Sequence, residues 1–439
     1  MSARAILAIS SIRMLAVLTV ALAGSGTVGR AEEASPLLFG DDPRVDAGAF
    51  HVSVFARDLF FPMGMVSLPD GSLLVGTSVP TGGSFFSSTG ELRRLVDGDG
   101  DGVADDEGSN LAADLPGTIV AVARGGTLVF VTSAEAGRER ISILRRGRSW
   151  SDPLTLVGSI DFHFVQFDHQ SYGLAVRPSG AKDRRYEVFF NVGASSNDMA
   201  GRTVEISGLV TATLEDAALY RVVVEDTGTA PIVSSPELIA TGLRNAAAFT
   251  FEEKSGDLLI AENGIDTPDD RIVALSADEI DRIPVDAIGG EPEDFGFPES
   301  YVDYQSGEIV GDRGNPPLVI FRPIAGSESE GAASIAIAPA AFPDGLNAGV
   351  FVGFHGQWDD SGLANEENPL LYADPTSGET VAFISNDDPL VGHIDSLLAS
   401  GESLFAADLF GGPDGSLLGA APCGAIYEIR VVQPADTAA

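Results

Sequence analysis

The stretch TGLRNAAAFTFEEKSGDLLIAENGIDTPDD, residues 241–270, decides how the chain is read. AAAFTF (246–251) is a short apolar run with aromatic and β-branched residues, EEKSGD (252–257) is a polar turn, and LLIAEN (258–263) is a second apolar run. That is the signature of a β-hairpin. In an antiparallel hairpin the start of the first strand lies beside the end of the second. Arg244 and Asn245, ahead of the hairpin, therefore share a rim with Glu262, Asn263 and Gly264 behind it.

The same unit recurs along the chain. PMGMVSLPDGSLLVGTS begins at Pro62, LPGTIVAVARGGTLVFVTS at Leu115, HQSYGLAVRPSGAKDRRYEVFFNVG at His169, GAASIAIAPAAFPDGLNAGVFVGFHG at Gly331 and HIDSLLASGESLFAADLFGG at His393. Strand-like runs such as ELRRLVD, ISILRR, ALYRVVVED, RIVALS and LLYAD lie between them. No segment sustains a 3.6-residue apolar period, and the chain carries 51 Gly and 25 Pro. Short strands with this punctuation predict an all-β protein. Six hairpin units with outer strands predict a six-bladed β-propeller spanning 36–432, with its longest insertion at 263–330. FHVSVFARDL (50–59) and AIYEIRVV (425–432) are expected to pair and close the ring, which removes open sheet edges. Residues 433–439 are expected to be a disordered tail.

Met1–Ala31 reads as a secretory signal: Arg4 and Arg13, the apolar core MLAVLTVALAG, and a small-residue cleavage site after Ala23 or Ala31. That run is too short to span a membrane, and no later one is longer. A periplasmic or secreted protein is expected. The one cysteine, Cys423, allows no internal disulfide and reads as a free structural thiol. Net charge is −38 and only Lys182 and Lys254 are lysines, which argues against nucleic acid or an anionic membrane as partner.

Polar residues at the starts of the units are the candidates for chemistry, because in a propeller those starts open on one end of the central channel. His169 precedes an apolar strand and can act as a base at a channel mouth. No serine-protease-like or zinc-ligand spacing surrounds it. Glu262, Asp266, Asp269, Asp270, Asp278, Glu279 and Asp281 form oxygen-rich segments of the kind calcium takes. DGDGDGVADDE (97–107) places Asp97, Asp99, Asp101 and Asp105 at positions 1, 3, 5 and 9 of an EF-hand-type loop, with Gly102 at position 6 and Gly108 in place of the usual Glu at 12. We read it as a calcium-stabilised loop between strands. His355 and Trp358, in VFVGFHGQWDD, can line a pocket or plug a blade end.

LRN…GDLLIAENGIDTPDD, ADEIDRI (277–283), DFGFP (294–298), AGVFVGFHGQW (348–358) and GAIYEIRV (424–431) together resemble the glucose/sorbosone dehydrogenase family, which includes pyranose dehydrogenases. The resemblance covers about 60–430 and implies a six-bladed propeller using pyrroloquinoline quinone (PQQ) and calcium. It implies His169 as the base toward the sugar's anomeric hydroxyl, and Arg244 and Asn245 as contacts of the quinone. It also implies Gly264 and Ile265 as carbonyl ligands of the cofactor's calcium, and ADEIDRI as a loop giving Asp278 and Glu279 to a structural calcium. The partners implied are a sugar and an external electron acceptor. The chain departs from the family pattern at Ala194, where an Asp often orients the base, at Asp360 in place of an Arg, and at Gly331, which opens a segment lacking the family's His. Asp168 and Asp198 are possible substitutes for the missing Asp; Arg93, Arg94 and Arg322 are possible further cations. A non-catalytic, calcium-stabilised propeller that binds sugar or protein is the alternative reading.

Overall fold

Each blade begins with a strand on the central axis and steps outward through antiparallel neighbours. The computed structural model describes residues 35–432 except 86, 136, 166–168, 170–171, 181–183, 266–275, 304–305, 313–314, 323–330, 360–361, 365–368, 386–390 and 410–420. The signal reading, the tail, RIVALS, and Asp168, Asp266, Asp269, Asp270 and Asp360 fall wholly or mostly outside that set. The innermost strands are Met65–Ser67, Thr118–Gly125, Leu174–Pro178, Ala246–Phe251, Ala332–Ile337 and Ile394–Ser400, one for each unit read from the sequence. The described residues contain no α-helix, only one 3-10 turn at Ala47–Ala49.

Ring closure follows the expected pairing. Phe50–Leu59 pairs antiparallel with Gly424–Val431, Phe50 opposite Val431 and Val54 opposite Tyr427, as the outermost strand of the sixth blade. The second blade borrows strands: Thr203–Gly208 and Ala212–Glu215, which follow the second strand of blade three (Arg185–Val192), add to its outer edge. The 263–330 interval holds the third and fourth strands of blade four, Asp278–Ile283 and Val319–Phe321, and an excursion with its own small hairpin, Tyr301–Val302 with Ile309–Val310. ADEIDRI is thus mostly strand rather than loop.

The core lies between blades. Leu68, Leu74, Val122 and Val129 join blades one and two. Phe162, Phe190 and Tyr220 join two and three. Phe189, Ile239, Ile260 and Ile283 join three and four. Ala261, Ile280, Val352 and Phe354 join four and five. Phe351, Phe383, Leu404 and Tyr427 join five and six, and Phe55, Val75, Phe405 and Ile426 join six back to one. Because both faces of a blade are covered, inner strands such as Leu258–Glu262 are buried throughout, which is why their sequences run apolar instead of alternating.

Around the axis runs a cavity of about 340 Å³ lined by Met65, Val122, Leu174, Phe249, Ile335 and Leu397, one residue from each innermost strand. All six of those strands start at the same end of the channel, here called the mouth. Second strands end there and third strands start there. The acidic loop 97–105 follows a third strand (Ser87–Leu95) and so lies at the far end.

Candidate functional site

The site is assembled from the connections that open on the mouth. Blade three brings His169 and the segment after Val192. Ala194 joins them to blade four: its N–H donates to the Arg244 carbonyl at 2.7 Å, and its carbonyl accepts from the His169 N–H at 3.3 Å. Its methyl is fully buried beside Ala217, Ile265 and Phe297. A carboxylate has no space there, so the base-orienting Asp of the family pattern has no counterpart at this position.

Arg244 is only 2% exposed. Its Nε donates to the Asn197 carbonyl at 2.8 Å, its Nη2 to the Asn197 side chain, and its Nη1 reaches the Asn263 carbonyl at 3.4 Å. Asp216 holds the loop that presents Asn197, accepting from the N–H groups of Ser195, Gly201 and Arg202 at 2.7–3.0 Å. Asn245 Nδ2 donates to Asn263 Oδ1 at 2.7 Å, and Asn263 Nδ2 donates to the Ala332 carbonyl at 2.5 Å, carrying the network to blade five. His169 Nε2 and Asn245 Oδ1 are buried and make no hydrogen bond among the described residues. Such atoms are costly unless something completes them. Burial, and then the charge of Arg244, hold the His169 imidazole well below its ordinary pKa, so it is neutral with a lone pair available.

Behind this rim Glu262, Glu279 and Asp281 are buried, with one oxygen from each inside a 4.8 Å triangle. Register explains the grouping. Glu262 pairs with Glu279 and Ile260 with Asp281, so all four side chains leave the face of blade four that packs on blade three. Two like charges 4.8 Å apart repel by about 3.5 kcal/mol at an effective dielectric of 20. Three such buried groups call for a cation or for protons. A cavity of about 20 Å³ lined by Arg244, Glu262, Gly264, Ser276 and Glu279 has room for one ion or one water. Glu262 Oε1 also accepts the Arg244 N–H at 2.6 Å, tying the acidic group to the rim.

Asp278 stands apart from this cluster. Its neighbour Glu279 faces blade three, so strand alternation turns Asp278 toward blade five. There Oδ2 accepts the N–H groups of Gly331 and Ala332 at 2.9 and 3.1 Å, while Oδ1 accepts Gly264 N–H at 2.8 Å. The Asp278–Glu279 pair expected on one ion is therefore split: Glu279 joins Glu262 and Asp281, and Asp278 pins two loops. Gly264 is required by close approach, since a Cβ there would lie 2.1 Å from the Ser276 carbonyl oxygen. Ile265 is buried, and its N–H donates to Ser276 Oγ.

In the far-end loop Asp97, Asp99 and Asp105 come together. Asp101 does not; its Oδ1 accepts Val103 N–H at 2.8 Å. The loop grips the closure strands, with Ser53 Oγ on the Gly102 carbonyl at 2.7 Å and Ala104 N–H on the Phe55 carbonyl at 2.8 Å. Arg93 and Arg94 lie on the third strand of blade one, paired with Glu91 and Asp70, away from the mouth. Cys423 is half-buried against a mouth cluster of Phe61, Met63, Val120 and Leu409.

The sequence left His355 as a residue lining a pocket or plugging a blade end, and did not point to Asp395. His355 follows the second strand of blade five, and its Nδ1 lies 2.5 Å from Asp395 Oδ1 on the innermost strand of blade six. The signal available was the HID start of the sixth unit, whose Asp falls one residue into a strand.

No protein-family model and no curated protein matches the chain. In fold it is similar to the PQQ domain of a pyranose dehydrogenase from Coprinopsis cinerea, with TM-score 0.57 and 14% identity over 91% of this chain and 98% of that one. It is similar to a Trichoderma reesei protein of carbohydrate-active enzyme family AA12, with TM-score 0.56 and 12% identity over 92% and 100% of the two chains. It is also similar to a PQQ-bound aldose sugar dehydrogenase from Streptomyces coelicolor, with TM-score 0.51 and 15% identity over 88% and 99%. At these identities the likeness is one of fold.

Proposed function

We propose that the protein is an exported quinone-dependent dehydrogenase that oxidises a sugar of aldose type and passes the electrons to an external acceptor. The observation that carries this reading is the convergence at one mouth of a neutral imidazole with an unbonded buried Nε2, a buried guanidinium and an unbonded Asn245 oxygen, backed by an ion-sized cavity between carboxylates. The fold likeness to PQQ-binding sugar dehydrogenases and the sequence resemblance agree with it.

The residues present fit such a cofactor in kind. Arg244 and Asn245 offer a cation and an amide to its oxygens, and Glu262 and Glu279, with Gly264 beside them, offer hard oxygen to calcium. When bound, the quinone supplies hydride acceptance, which calcium assists by polarising its oxygens. The chain's own residues do the rest. His169 accepts a hydrogen bond from the reacting hydroxyl, Arg244 stabilises developing negative charge, and Asn197 and Asn263 keep the guanidinium fixed. The far-end loop of Asp97, Asp99 and Asp105 takes a second, structural calcium that staples the ring closure.

The test is dye reduction by the mature protein with calcium, PQQ and a panel of sugars, alongside His169→Ala and, as control, His51→Ala. Sugar-dependent reduction lost in the first variant and kept in the second supports the reading. Absence of PQQ binding by the wild type overturns it and leaves the calcium-stabilised binding propeller, which the burial of Ala194 in place of an orienting carboxylate favours.

A further inference from the structure

We propose that His355, held by Asp395, is the group that takes up the proton of a ligand hydroxyl at the channel mouth, and that His169 orients that hydroxyl without itself becoming charged. The identity of the ligand, a sugar, and the oxidation that releases its proton rest on the dehydrogenase reading; which imidazole is poised to hold that proton does not.

The geometry is that of an imidazole prepared to become a cation. The backbone fixes His355 on both sides: its N–H donates to the Gly331 carbonyl at 2.9 Å, and its carbonyl accepts from His393 Nδ1 at 2.8 Å. Nδ1 meets Asp395 Oδ1 at 2.5 Å, a contact that only an Nδ1–H can make with a carboxylate. The neutral ring therefore carries its lone pair on Nε2, which has no partner among the described residues, and the side chain is 31% exposed. Asp395 is 3% exposed in its side chain, lines the channel, and has no hydrogen bond on Oδ2 among the described residues. A buried carboxylate with one imidazole as partner is best satisfied when that imidazole is charged.

The two histidines are tuned in opposite directions. Burial lowers the His355 pKa, but the charge of Asp395 and its hydrogen bond more than offset this, and the net shift is upward. Among the described residues no carboxylate bonds His169, and the charge of Arg244 beside it lowers its pKa further. Groups pushed apart in this way divide acid–base roles, and a base works best with its pKa near the working pH. Tyr172 lies within electrostatic reach of both Asp395 and Glu139. Burial, then Glu139 and Asp395, push the Tyr172 hydroxyl up to about 12, so it stays protonated and does not compete for the proton. The step balances as part of the oxidation: as the carbon gives up hydride to the quinone-type acceptor of the proposed reaction, the O–H bond breaks, its electron pair becomes the new C=O bond, its proton forms an Nε2–H bond on His355, the imidazolium charge lies against Asp395, and the proton returns to solvent when the product leaves.

The test has two arms. In the first, imidazole NMR signals of the full-length mature protein, without cofactor, are followed over pH 5–9 and assigned with His355→Gln and His169→Gln. His355 should titrate above the usual histidine range and fall in Asp395→Asn, while His169 stays neutral throughout. In the second, kcat/KM for sugar-dependent dye reduction is measured against pH. His355→Gln should lose roughly 100-fold or more. Asp395→Asn should move the rising acid limb to lower pH, His169→Gln should lower the rate without moving the limb, and His163→Gln, on the fourth strand of blade two, should change nothing. A His355 signal indifferent to Asp395→Asn overturns the proposal, as does a limb that moves with His169→Gln. If the wild type reduces no dye, the dehydrogenase reading fails, and the NMR arm alone decides the proposal.

Discussion

Replacing Asp226 by Asn tests the physical basis of the ring at a point remote from the mouth. Asp226 ends the third strand of blade three, at the far end of the channel, and is 2% exposed. Arg145 from blade two and Arg184 from blade three both bond it, at 2.5–3.0 Å and 2.6 Å, with Thr127 Oγ1 and Gly228 N–H each at 3.0 Å. Burial raises its pKa, but the Gly228 amide, both guanidinium groups and Thr127 outweigh that and bring it from 3.8 down to about 2. That lowering corresponds to about 2 kcal/mol. The Gly228 amide lowers the pKa most and Arg184 next; Arg184 is 58% exposed, so solvent screens its share and the figure is an upper bound. A unit of some 400 residues loses about 2–3 °C of Tm for that amount. Because the folded pKa is depressed, the stabilisation is complete above pH ~4 and is lost as pH falls through about 2. It should be near half strength at about pH 3. Denaturant melts of wild type and Asp226→Asn at pH 7, 5 and 3 check this. Equal stability at pH 7, or a difference undiminished at pH 3, refutes the reasoning, and any change in ligand binding at the mouth contradicts the separation of the two ends.

Calcium should raise the melting temperature of the wild type by about 3 °C when present at a hundredfold excess over its dissociation constant, and Glu279→Gln should remove part of that shift; calorimetry with and without chelator decides it. Asn197→Ala strips Arg244 of its side-chain bond to Oδ1 and keeps the one to the backbone carbonyl, so PQQ affinity by titration calorimetry should fall roughly 5- to 10-fold while the fold, by circular dichroism, is kept. His169 is held neutral when folded but binds a proton when unfolded below pH ~6.5. Wild-type stability relative to His169→Gln should therefore rise with pH across that value, measured by paired denaturant melts at pH 5 and 8.

The fold was legible because blades repeat. Each unit shows an apolar hairpin with a turn, and the six starts read from the sequence coincide with the six axial strands. Burial of both blade faces erases the inside–outside alternation but leaves the hairpin punctuation intact. The strand exchange between blades two and three was not legible, because an outer hairpin carries no mark of which sheet edge it joins. At the site, the proximity of Arg244, Asn245 and Asn263 follows from hairpin geometry alone. The parity of neighbours does not: ADEIDRI read as a loop puts Asp278 and Glu279 on one ion, whereas the same residues in a strand face different blades. The His355–Asp395 contact spans 40 residues and two blades, and only ring closure brings it about.

The mouth divides into two halves, and the division bears on what it holds. Blades three to six contribute His169, Arg244, Asn245, His355 and Asp395. Phe61, Met63 and Val120, with Leu409 and part of Tyr172, form an apolar cluster on the side where blades six, one and two meet. A ligand wholly polar, such as a free sugar, leaves the apolar wall unused; a wholly apolar one leaves Nε2 of His169 and Oδ1 of Asn245 unbonded. A flat conjugated ring edged with oxygens satisfies both, with a hydroxylated substrate placed against the imidazoles. Arg244 is the buried guanidinium at that rim, and His355, once protonated, is already paired with Asp395. Charge balance thus favours a bound group whose remaining negative charge is met by a metal rather than by further side chains, and the carboxylate-lined cavity beside Arg244 and Gly264 is where the chain can hold one.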